Sequence, residues 1–249
     1  MNHPLRLGRD LALLACAAAL AACGCSPAGP PSGGSWEAAR RRMVERQLEA
    51  RGVRDGRVLA AMGRVPRQEF VPERYREWAY EDGPLPIGRG QTISQPYLVA
   101  VMTEAVGPRR GQRVLEVGTG SGYQTAVLAE LAGEVYTVEL LPELAAAAAA
   151  RLARLGYRNV HVRAGDGYLG WPEEGPFDAV VVTCRVGEVP GPLLEQLRPG
   201  GRMVLPVGEA GEMQMLRVLT KGSDGGREVR DLLPVRFVPL RRAGDAGGK

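Results

Sequence analysis

Histidine and aromatic residues are scarce in this chain. Its 249 residues include only two histidines, His3 and His161, and aromatic residues make up 5% of the total. Two histidines are too few for a metal site built on imidazole, and so few aromatics do not provide a surface for stacking nucleic-acid bases. His161 lies in the alternating run NVHVRAG, which predicts a strand residue. We therefore expect neither a bound metal nor a nucleic-acid partner.

The charges and the cysteines exclude further classes of function. Basic residues are almost all arginine and are scattered, and the densest run, Arg40–Arg42, falls in a helical pattern typical of a solvated helix face. The spacing of the cysteines matches neither a disulfide framework nor a zinc ribbon. The four cysteines are Cys16, Cys23, Cys25 and Cys184.

The apolar run LALLACAAALAAC, at 11–23, is too short to span a bilayer comfortably. Arg6 and Arg9 precede it, as in a signal peptide, and 20–23 resembles a bacterial lipobox in which Cys23 would carry a lipid anchor. GCSPAGPPSGGS then forms a flexible tether. Two expectations stay open. The protein is either an exported, membrane-anchored lipoprotein, or a cytoplasmic protein whose true start lies later in the sequence, at or near Met43. Asp10 argues against a signal peptide, because it is an acidic residue in the basic region that precedes the apolar run. Residues 1–34 are kept apart from a domain at 35–249.

Residues 35–110 predict an N-terminal helical extension. Apolar residues recur at helical spacing from Trp36 to Arg51, and a second helix follows over Asp55–Met62, with Asp55 as its cap. Ser94, followed by Gln95 and Pro96, predicts the hydroxyl-capped start of a helix that runs to Gly107. The stretch before this helix, GRGQTISQPY at 88–97, is interpreted as a glycine-flanked loop.

From residue 111 onward, strands alternate with helices. The run FDAVVVT at 177–183 is nearly all apolar, as in parallel strands that are buried on both faces. Two later segments, 213–220 and 229–239, predict a closing antiparallel pair around GSDGG. The other strands are predicted at 113–117, 135–139, 160–164 and 201–207, and the helices at 121–131, 142–155 and 190–197. This order predicts a doubly wound α/β core at 111–249, with a mostly parallel sheet and an antiparallel edge.

The first of these strands leads into a glycine-rich turn, VLEVGTGSGYQTA at 114–126. Glycines let the backbone approach a ligand closely, and a helix N-terminus offers unpaired amides. The second strand ends in Glu139, which can bind ribose hydroxyls, and the third ends in Asp166 and Gly167, which can meet an adenine amino group. The sequence therefore predicts a nucleoside ligand, although Glu139 and Asp166 can also be helix caps. The predicted cofactor residues of the turn are Glu116, Gly118, Thr119, Gly120, Ser121 and Gly122.

Five motifs together resemble the protein-L-isoaspartate O-methyltransferases, a family of class I S-adenosylmethionine-dependent methyltransferases. They are the glycine-rich turn, LPIGRGQTISQPY at 85–97, RVPRQEFVPE at 64–73, GDG at 165–167 and RFVPL at 236–240. The resemblance covers about residues 37–240. It implies a Rossmann-like fold, S-adenosylmethionine as cofactor, and methyl transfer to the free carboxylate of L-isoaspartyl residues in damaged proteins. The ester then collapses to a succinimide, which starts repair. We expect the protein to act as a monomer.

Ser94 matches the active-site serine of this family, and we expect it to position the substrate together with Thr92 and Gln91. The substrate carboxylate is already ionised at neutral pH, so no strong general base is needed. One departure from the family pattern is Cys184-Arg185-Val186-Gly187, where small residues are usual. Arg185 is predicted to add a carboxylate contact or to change which peptides enter.

Three other functions compete with this one. A methyltransferase with a different acceptor would keep the cofactor motif but would not need the 88–97 stretch. A binding protein that has lost catalysis would fit a membrane tether, although the motif retains its glycines and acids. A dinucleotide oxidoreductase is disfavoured, because its fingerprint is G-x-G-x-x-G, whereas this chain has G-x-G-x-G.

Overall fold

The computed structural model describes residues 35–244, and the predicted signal, tether and Cys23 lie outside these residues. A central sheet of seven strands is flanked by helices, and a separate two-stranded hairpin lies beside it. The hairpin strands are β1 (Leu85–Gly88) and β2 (Gln91–Ile93). The sheet strands are β3 (Arg113–Val117), β4 (Glu134–Glu139), β5 (Val160–Ala164), β6 (Phe177–Val182), β7 (Leu197–Val207), β8 (Gln214–Lys221) and β9 (Arg227–Val235).

The α-helices precede the sheet or connect its strands. They are α1 (Trp36–Met43), α2 (Gly56–Arg64), α3 (Pro96–Val106), α4 (Tyr123–Ala129), α5 (Pro142–Arg154) and α6 (Gly191–Gln196). Short 3-10 turns cover Arg67–Phe70, Glu73–Trp78, Gly167–Leu169 and Pro172–Glu174. No helix within residues 35–244 is long and apolar enough to cross a membrane.

The strand order of the sheet is β5-β4-β3-β6-β7-β8-β9. The first five strands are parallel, and β8 and β9 complete the sheet in antiparallel order. The chain leaves β3 first towards β4 and later returns to β6 on its other side, so β3 lies at a topological switch point, where ligands bind in such sheets. The predicted fold class, including the antiparallel edge, is confirmed.

The N-terminal extension packs onto the helices next to the glycine-rich turn. Met43 and Leu48 are buried in one apolar cluster with Tyr123 of α4 and Leu152 of α5. The predicted helix from Trp36 to Arg51 is not uniform: α1 continues into a π-helical turn at Val44–Leu48 and a 3-10 turn at Glu49–Arg51. The extension therefore shares a hydrophobic core with the predicted cofactor half.

The loop interpretation of residues 88–97 is wrong. Residues Leu85–Ile93 form an antiparallel hairpin, and three consecutive residues with positive φ, Gly88, Arg89 and Gly90, turn the chain at its tip. The strands are too short to show a clear alternation in the sequence, which is why periodicity missed them. The prediction that the Ser94 hydroxyl caps the next helix is also wrong, because Gln95 occupies the cap position of α3 and makes no side-chain capping bond. The Ser94 hydroxyl is thus not engaged in capping.

Candidate active site

A cleft opens at the carboxyl edge of the parallel strands, between the glycine-rich turn and the hairpin. It has two adjoining parts, with about 510 and 490 Å³ of empty space, respectively, that is open to solvent. Five residues line both parts: Gln91, Gly118, Glu139, Cys184 and Val238. The first part continues along the ends of β4 and β5, and the second continues along the hairpin. We call them the cofactor part and the acceptor part.

Two glycines in the wall of the cofactor part admit no side chain. Gly118 has a φ of 95°, and a Cβ atom at this position would overlap the Thr183 hydroxyl. A Cβ at Gly167 would lie 2.5 Å from Cγ1 of Val117. Both positions therefore require glycine, and the backbone is bare where a ligand would lie. Thr119, Gly120 and Ser121 of the glycine-rich turn continue this wall into the acceptor part.

Glu139 ends β4 inside the cleft. One of its carboxylate oxygens accepts a hydrogen bond from the Gly120 amide at 2.8 Å, and the other accepts one from the Leu141 amide at 3.1 Å. These bonds fix the carboxylate against the glycine-rich turn and the start of α5. Two donors leave part of its acceptor capacity free, which suits a hydroxyl-bearing ligand. Glu139 thus lines the cleft and is not the helix cap that the sequence left open, because Leu141 occupies the cap position of α5 and no side-chain capping bond is made there.

Asp166 lies beside the cleft, and its neighbour Gly167 lines the cofactor part. The Asp166 carboxylate accepts a bond from the Tyr168 amide at 2.9 Å, which caps the Gly167–Leu169 turn. It also faces the Arg242 guanidinium at 3.3 Å. The capping role that the sequence left open is therefore present, and the adenine contact stays a prediction.

Glu116 is buried beneath the glycine-rich turn and does not line the cleft. Its Oε2 atom accepts hydrogen bonds from the hydroxyls of Thr125 and Thr137, and the Thr137 hydroxyl also bonds Thr119 at 2.7 Å. Burial raises the pKa of Glu116 to about 8, although the two threonine bonds oppose the shift. Glu116 therefore supports the turn from below through Thr119. Gly122 packs against Leu152 rather than lining the cleft.

The hairpin supplies the opposite wall. Gln91, Thr92, Ile93 and Ser94 all line the acceptor part. Ser94 is half-buried and faces the glycine-rich turn across this part of the cleft, whereas Thr92 is exposed. At the hairpin tip, Arg89 forms an ion pair with Glu143 of α5 at 3.2 Å, so the hairpin bridges the cleft. The structure thus brings the three predicted substrate residues to the predicted cofactor turn.

The segment that departs from the family pattern borders the same cleft. Cys184 lines both parts, and burial raises the pKa of its thiol to about 12. Arg185 lies outside the lining residues, and its guanidinium donates a hydrogen bond to the Gly208 carbonyl at 3.1 Å. The substrate contact predicted for Arg185 stays a prediction.

One wall of the cleft is not predicted by the sequence. Residues 238–241 cross above the sheet edge and line the cofactor part. They are held by hydrogen bonds of 2.8 Å from the Arg185 amide to the Val238 carbonyl and from the Leu240 amide to the Arg185 carbonyl. RFVPL marks this segment in the sequence, but only the fold shows that it returns to the glycine-rich turn.

These residues fit S-adenosylmethionine. The two glycines leave room for close approach of a ligand, Glu139 offers acceptors for ribose hydroxyls, and Val117, Val138 and Leu240 provide apolar surface for a base. Among the described residues, no group of three or more His, Cys, Asp or Glu side chains is placed to hold a metal.

The chain is similar to known proteins over most of its length. Residues 38–244 match the model of the protein-L-isoaspartate(D-aspartate) O-methyltransferase family. Protein-L-isoaspartate O-methyltransferase 2 of Anaeromyxobacter sp. is 61% identical over 222 residues, covering 88% of this chain and 91% of that protein. Protein-L-isoaspartate O-methyltransferase of Opitutus terrae is 57% identical over 203 residues, covering 82% of this chain and 87% of that protein.

Solved structures show the same similarity. One protein-L-isoaspartate O-methyltransferase superposes with a TM-score of 0.74 at 34% identity, covering 84% of this chain and 66% of that chain. A beta-aspartate methyltransferase from Plasmodium falciparum, in complex with S-adenosyl-L-homocysteine, superposes with a TM-score of 0.70 at 27% identity, covering 82% of this chain and 98% of that chain. This chain belongs to the protein-L-isoaspartate(D-aspartate) O-methyltransferase family.

Proposed function

We propose that this protein transfers a methyl group from S-adenosylmethionine to the free carboxylate of L-isoaspartyl residues in damaged proteins or peptides. One observation carries the proposal: the hairpin with Thr92 and Ser94 forms one wall of a cleft whose other wall is the glycine-rich turn. The names and structures of the relatives support the same reaction. The methyl ester then collapses to a succinimide, which begins repair of the backbone.

The bound cofactor supplies a methyl group on a positively charged sulfur. Gly118, Thr119 and Gly120 would hold it along the bare backbone wall, and Glu139 would bind its ribose hydroxyls. The acceptor carboxylate is ionised at neutral pH because its pKa is about 3 to 4, so the site needs no strong base. The reaction therefore depends on alignment and on exclusion of water.

Ser94 and Thr92 are proposed to position this carboxylate from the hairpin side. A hydroxyl can hold a carboxylate in line without forming the tight ion pair that an arginine would form. His161, the one histidine among residues 35–244, bonds Glu134 at the start of β4 rather than Ser94, so no histidine is placed to activate Ser94 as a nucleophile. The raised pKa of Cys184 keeps its thiol protonated at neutral pH, so the thiol does not compete for the methyl group.

The decisive experiment incubates the protein with labelled S-adenosylmethionine and two peptides that differ only in one isoaspartyl or aspartyl residue. We expect label in the isoaspartyl peptide alone. Equal labelling of both peptides, or of neither, would contradict the proposal. If the protein binds the cofactor but labels neither peptide, a methyltransferase with another acceptor or a binding protein becomes the better hypothesis.

The leader and the location need their own test. We propose that residues 1–34 act as a lipoprotein signal with Cys23 as the acylated residue, and the competing proposal is a cytoplasmic chain that starts near Met43. Palmitate labelling of the full chain and of Cys23→Ala in a bacterial host separates the two. Label that depends on Cys23 supports the anchor, and its absence supports the later start.

We further propose that the protein acts as a monomer. The edge strand β9 carries Arg227, Glu228, Arg230 and Asp231 at exposed positions. Charges along an edge oppose pairing with a second sheet. Sedimentation equilibrium at micromolar concentration should give the mass of one chain, and a dimer mass would contradict this proposal.

A further inference from the structure

The substrate hairpin is a weak element on its own. Strands β1 and β2 pair only with each other and are not joined to the main sheet. An isolated two-stranded hairpin is marginally stable in water, so its position depends on the groups that hold its ends. Alignment of the acceptor carboxylate, in the reaction proposed above, therefore depends on those groups.

The segment that enters the hairpin, residues 79–83, is held by side chains that bind its carbonyl oxygens. Arg67 donates from Nε to the Ala79 carbonyl at 2.7 Å and from Nη2 to the Gly83 carbonyl at 3.5 Å. Gln47, in the π-helical turn, donates to the Tyr80 carbonyl at 2.7 Å. Gln95, just after the hairpin, donates to the Asp82 carbonyl at 3.2 Å. We call residues 79–83 the entry segment.

Among the side chains that hold the entry segment, Arg67 is the least favourable to bury. Its side chain is completely buried, its Nη1 atom has no hydrogen-bond partner, and none of the ion pairs among the described residues includes it. Burying a guanidinium without a direct ion-pair partner is unfavourable. Here burial lowers the pKa of Arg67 to about 10, although Tyr123, Tyr80 and Asp82 oppose the shift, and the group is still charged at neutral pH. A neutral apolar residue would fill this position at lower cost if packing alone were required.

The same guanidinium also touches the cofactor half. It lies over the ring of Tyr123, with Cζ 4.7 Å from the ring centroid. Tyr123 is the first residue of α4, directly after the glycine-rich turn, and its ring packs edge-on against Phe70 at 5.5 Å. One buried side chain therefore spans the distance between the entry segment and the helix that begins at the cofactor turn.

We propose that Arg67 is a positioning residue for methyl transfer, which fixes the hairpin carrying Ser94 relative to the glycine-rich turn. Arg67 touches neither substrate nor cofactor; it acts through the entry segment and Tyr123. The proposal deepens the function proposed above and rests on it. A small displacement of the acceptor is enough to slow an in-line transfer strongly.

The first test does not use activity. Hydrogen exchange would be followed by mass spectrometry in the wild-type protein, in Arg67→Lys and Arg67→Gln, and in Leu219→Ala, a control that opens a cavity in the buried core under β8. We expect amides of residues 79–93 to exchange at least about tenfold faster in both Arg67 variants, with β7 and β8 unchanged. Leu219→Ala should show the opposite distribution. Unchanged exchange of residues 79–93 in folded Arg67→Lys overturns the proposal.

The second test uses turnover on the isoaspartyl peptide. Arg67→Gln should lower kcat about 10- to 100-fold, with cofactor affinity changed less than about threefold, and Arg67→Lys should restore part of the loss. Leu219→Ala should keep kcat at temperatures below its Tm. If Leu219→Ala loses turnover to the same extent at equal stability, Arg67 is merely structural and the proposal fails.

A double-mutant cycle makes the test specific to the hairpin. Since Arg67 acts through the element that carries Ser94, the loss of turnover in Arg67→Lys should be smaller in a Ser94→Ala background than in the wild type. Additive losses contradict the proposal. If the wild-type protein labels neither peptide, the proposed function fails, while hydrogen exchange still decides whether Arg67 holds the hairpin.

Discussion

The two walls of the cleft are built in different ways. The cofactor wall lies at the ends of parallel strands, and its turn is supported by ladder hydrogen bonds and by buried Glu116. The acceptor wall is a small hairpin, held by side chains from distant segments such as Gln47, Arg67 and Gln95. The first wall needs few particular side chains but strict glycines, whereas the second needs particular side chains at many places.

The largest effect is expected from Gly118→Ala. The added methyl group would overlap the Thr183 hydroxyl, and the residue would have to keep a φ of 95°. We expect cofactor affinity to fall at least about 100-fold, or about 2.7 kcal/mol, in titration calorimetry. Gly111→Ala is the matched control, since Gly111 has a φ of 83° but nothing within 4 Å of the added atom. It should lose stability, by about 1–2 kcal/mol, without loss of binding. Equal binding losses in both variants would mean that backbone strain, not the close wall, is responsible.

On the acceptor wall, Ser94→Ala should separate turnover from cofactor binding. Loss of the hydroxyl should lower kcat about 10- to 100-fold on the isoaspartyl peptide, because the carboxylate is no longer held in line. Cofactor affinity should change less than about threefold. Ser35→Ala, which removes a helix cap on the Ala38 amide, should cost about 1 kcal/mol of stability with turnover unchanged. A large loss of cofactor affinity in Ser94→Ala would contradict the assignment of cofactor binding to one wall and acceptor positioning to the other.

An intermediate effect is expected from Glu116→Gln, and it concerns stability. The pKa of Glu116 is raised to about 8 in the folded protein, from an ordinary value of 4.5. Between these pH values the folded state binds more protons than the unfolded state, so stability is highest at low pH and is lost as the pH rises towards 8. The contribution is at most about 1.4 kcal/mol per pH unit.

Urea unfolding of the wild-type protein and of Glu116→Gln at pH 5.5 and pH 8 tests this. The glutamine cannot ionise, so the variant should lose less stability than the wild type between the two pH values. Parallel losses in both proteins would show that Glu116 is ionised throughout the range.

The smallest effect is expected from Arg185→Ala. Loss of the bond to the Gly208 carbonyl should cost about 1 kcal/mol of stability. If Arg185 also meets the peptide, KM for an isoaspartyl peptide with an acidic neighbour should rise more than KM for one with a neutral neighbour. Steady-state kinetics on the two peptides measures this, and an equal KM for both in wild type and variant would remove Arg185 from the substrate residues.

The sequence predicted the cofactor wall better than the acceptor wall, for a physical reason. The cofactor wall is local: one strand, one turn and one helix, with acids at the ends of neighbouring strands, so periodicity and glycine spacing located it. The hairpin at Leu85–Ile93 is too short to show a period, and its supports lie far apart in the chain. In the sequence, nothing distinguishes Arg67 from an arginine on the surface, because its burial is seen only in the fold. The segment 238–241 reaches the cleft only because the chain after β9 returns and pairs with Arg185.

That last segment has a consequence for the time at which the site comes into existence. Val238, Pro239, Leu240 and Arg241 form a wall of the cofactor part, opposite residues that are synthesised much earlier. A nascent chain that has not yet been extended past Arg241 has the glycine-rich turn but not the complete wall of the cleft. The polypeptide therefore acquires its complete ligand site only after the segment that follows β9 has been synthesised, and a shortened product ending before Val238 would retain the sheet while lacking that wall.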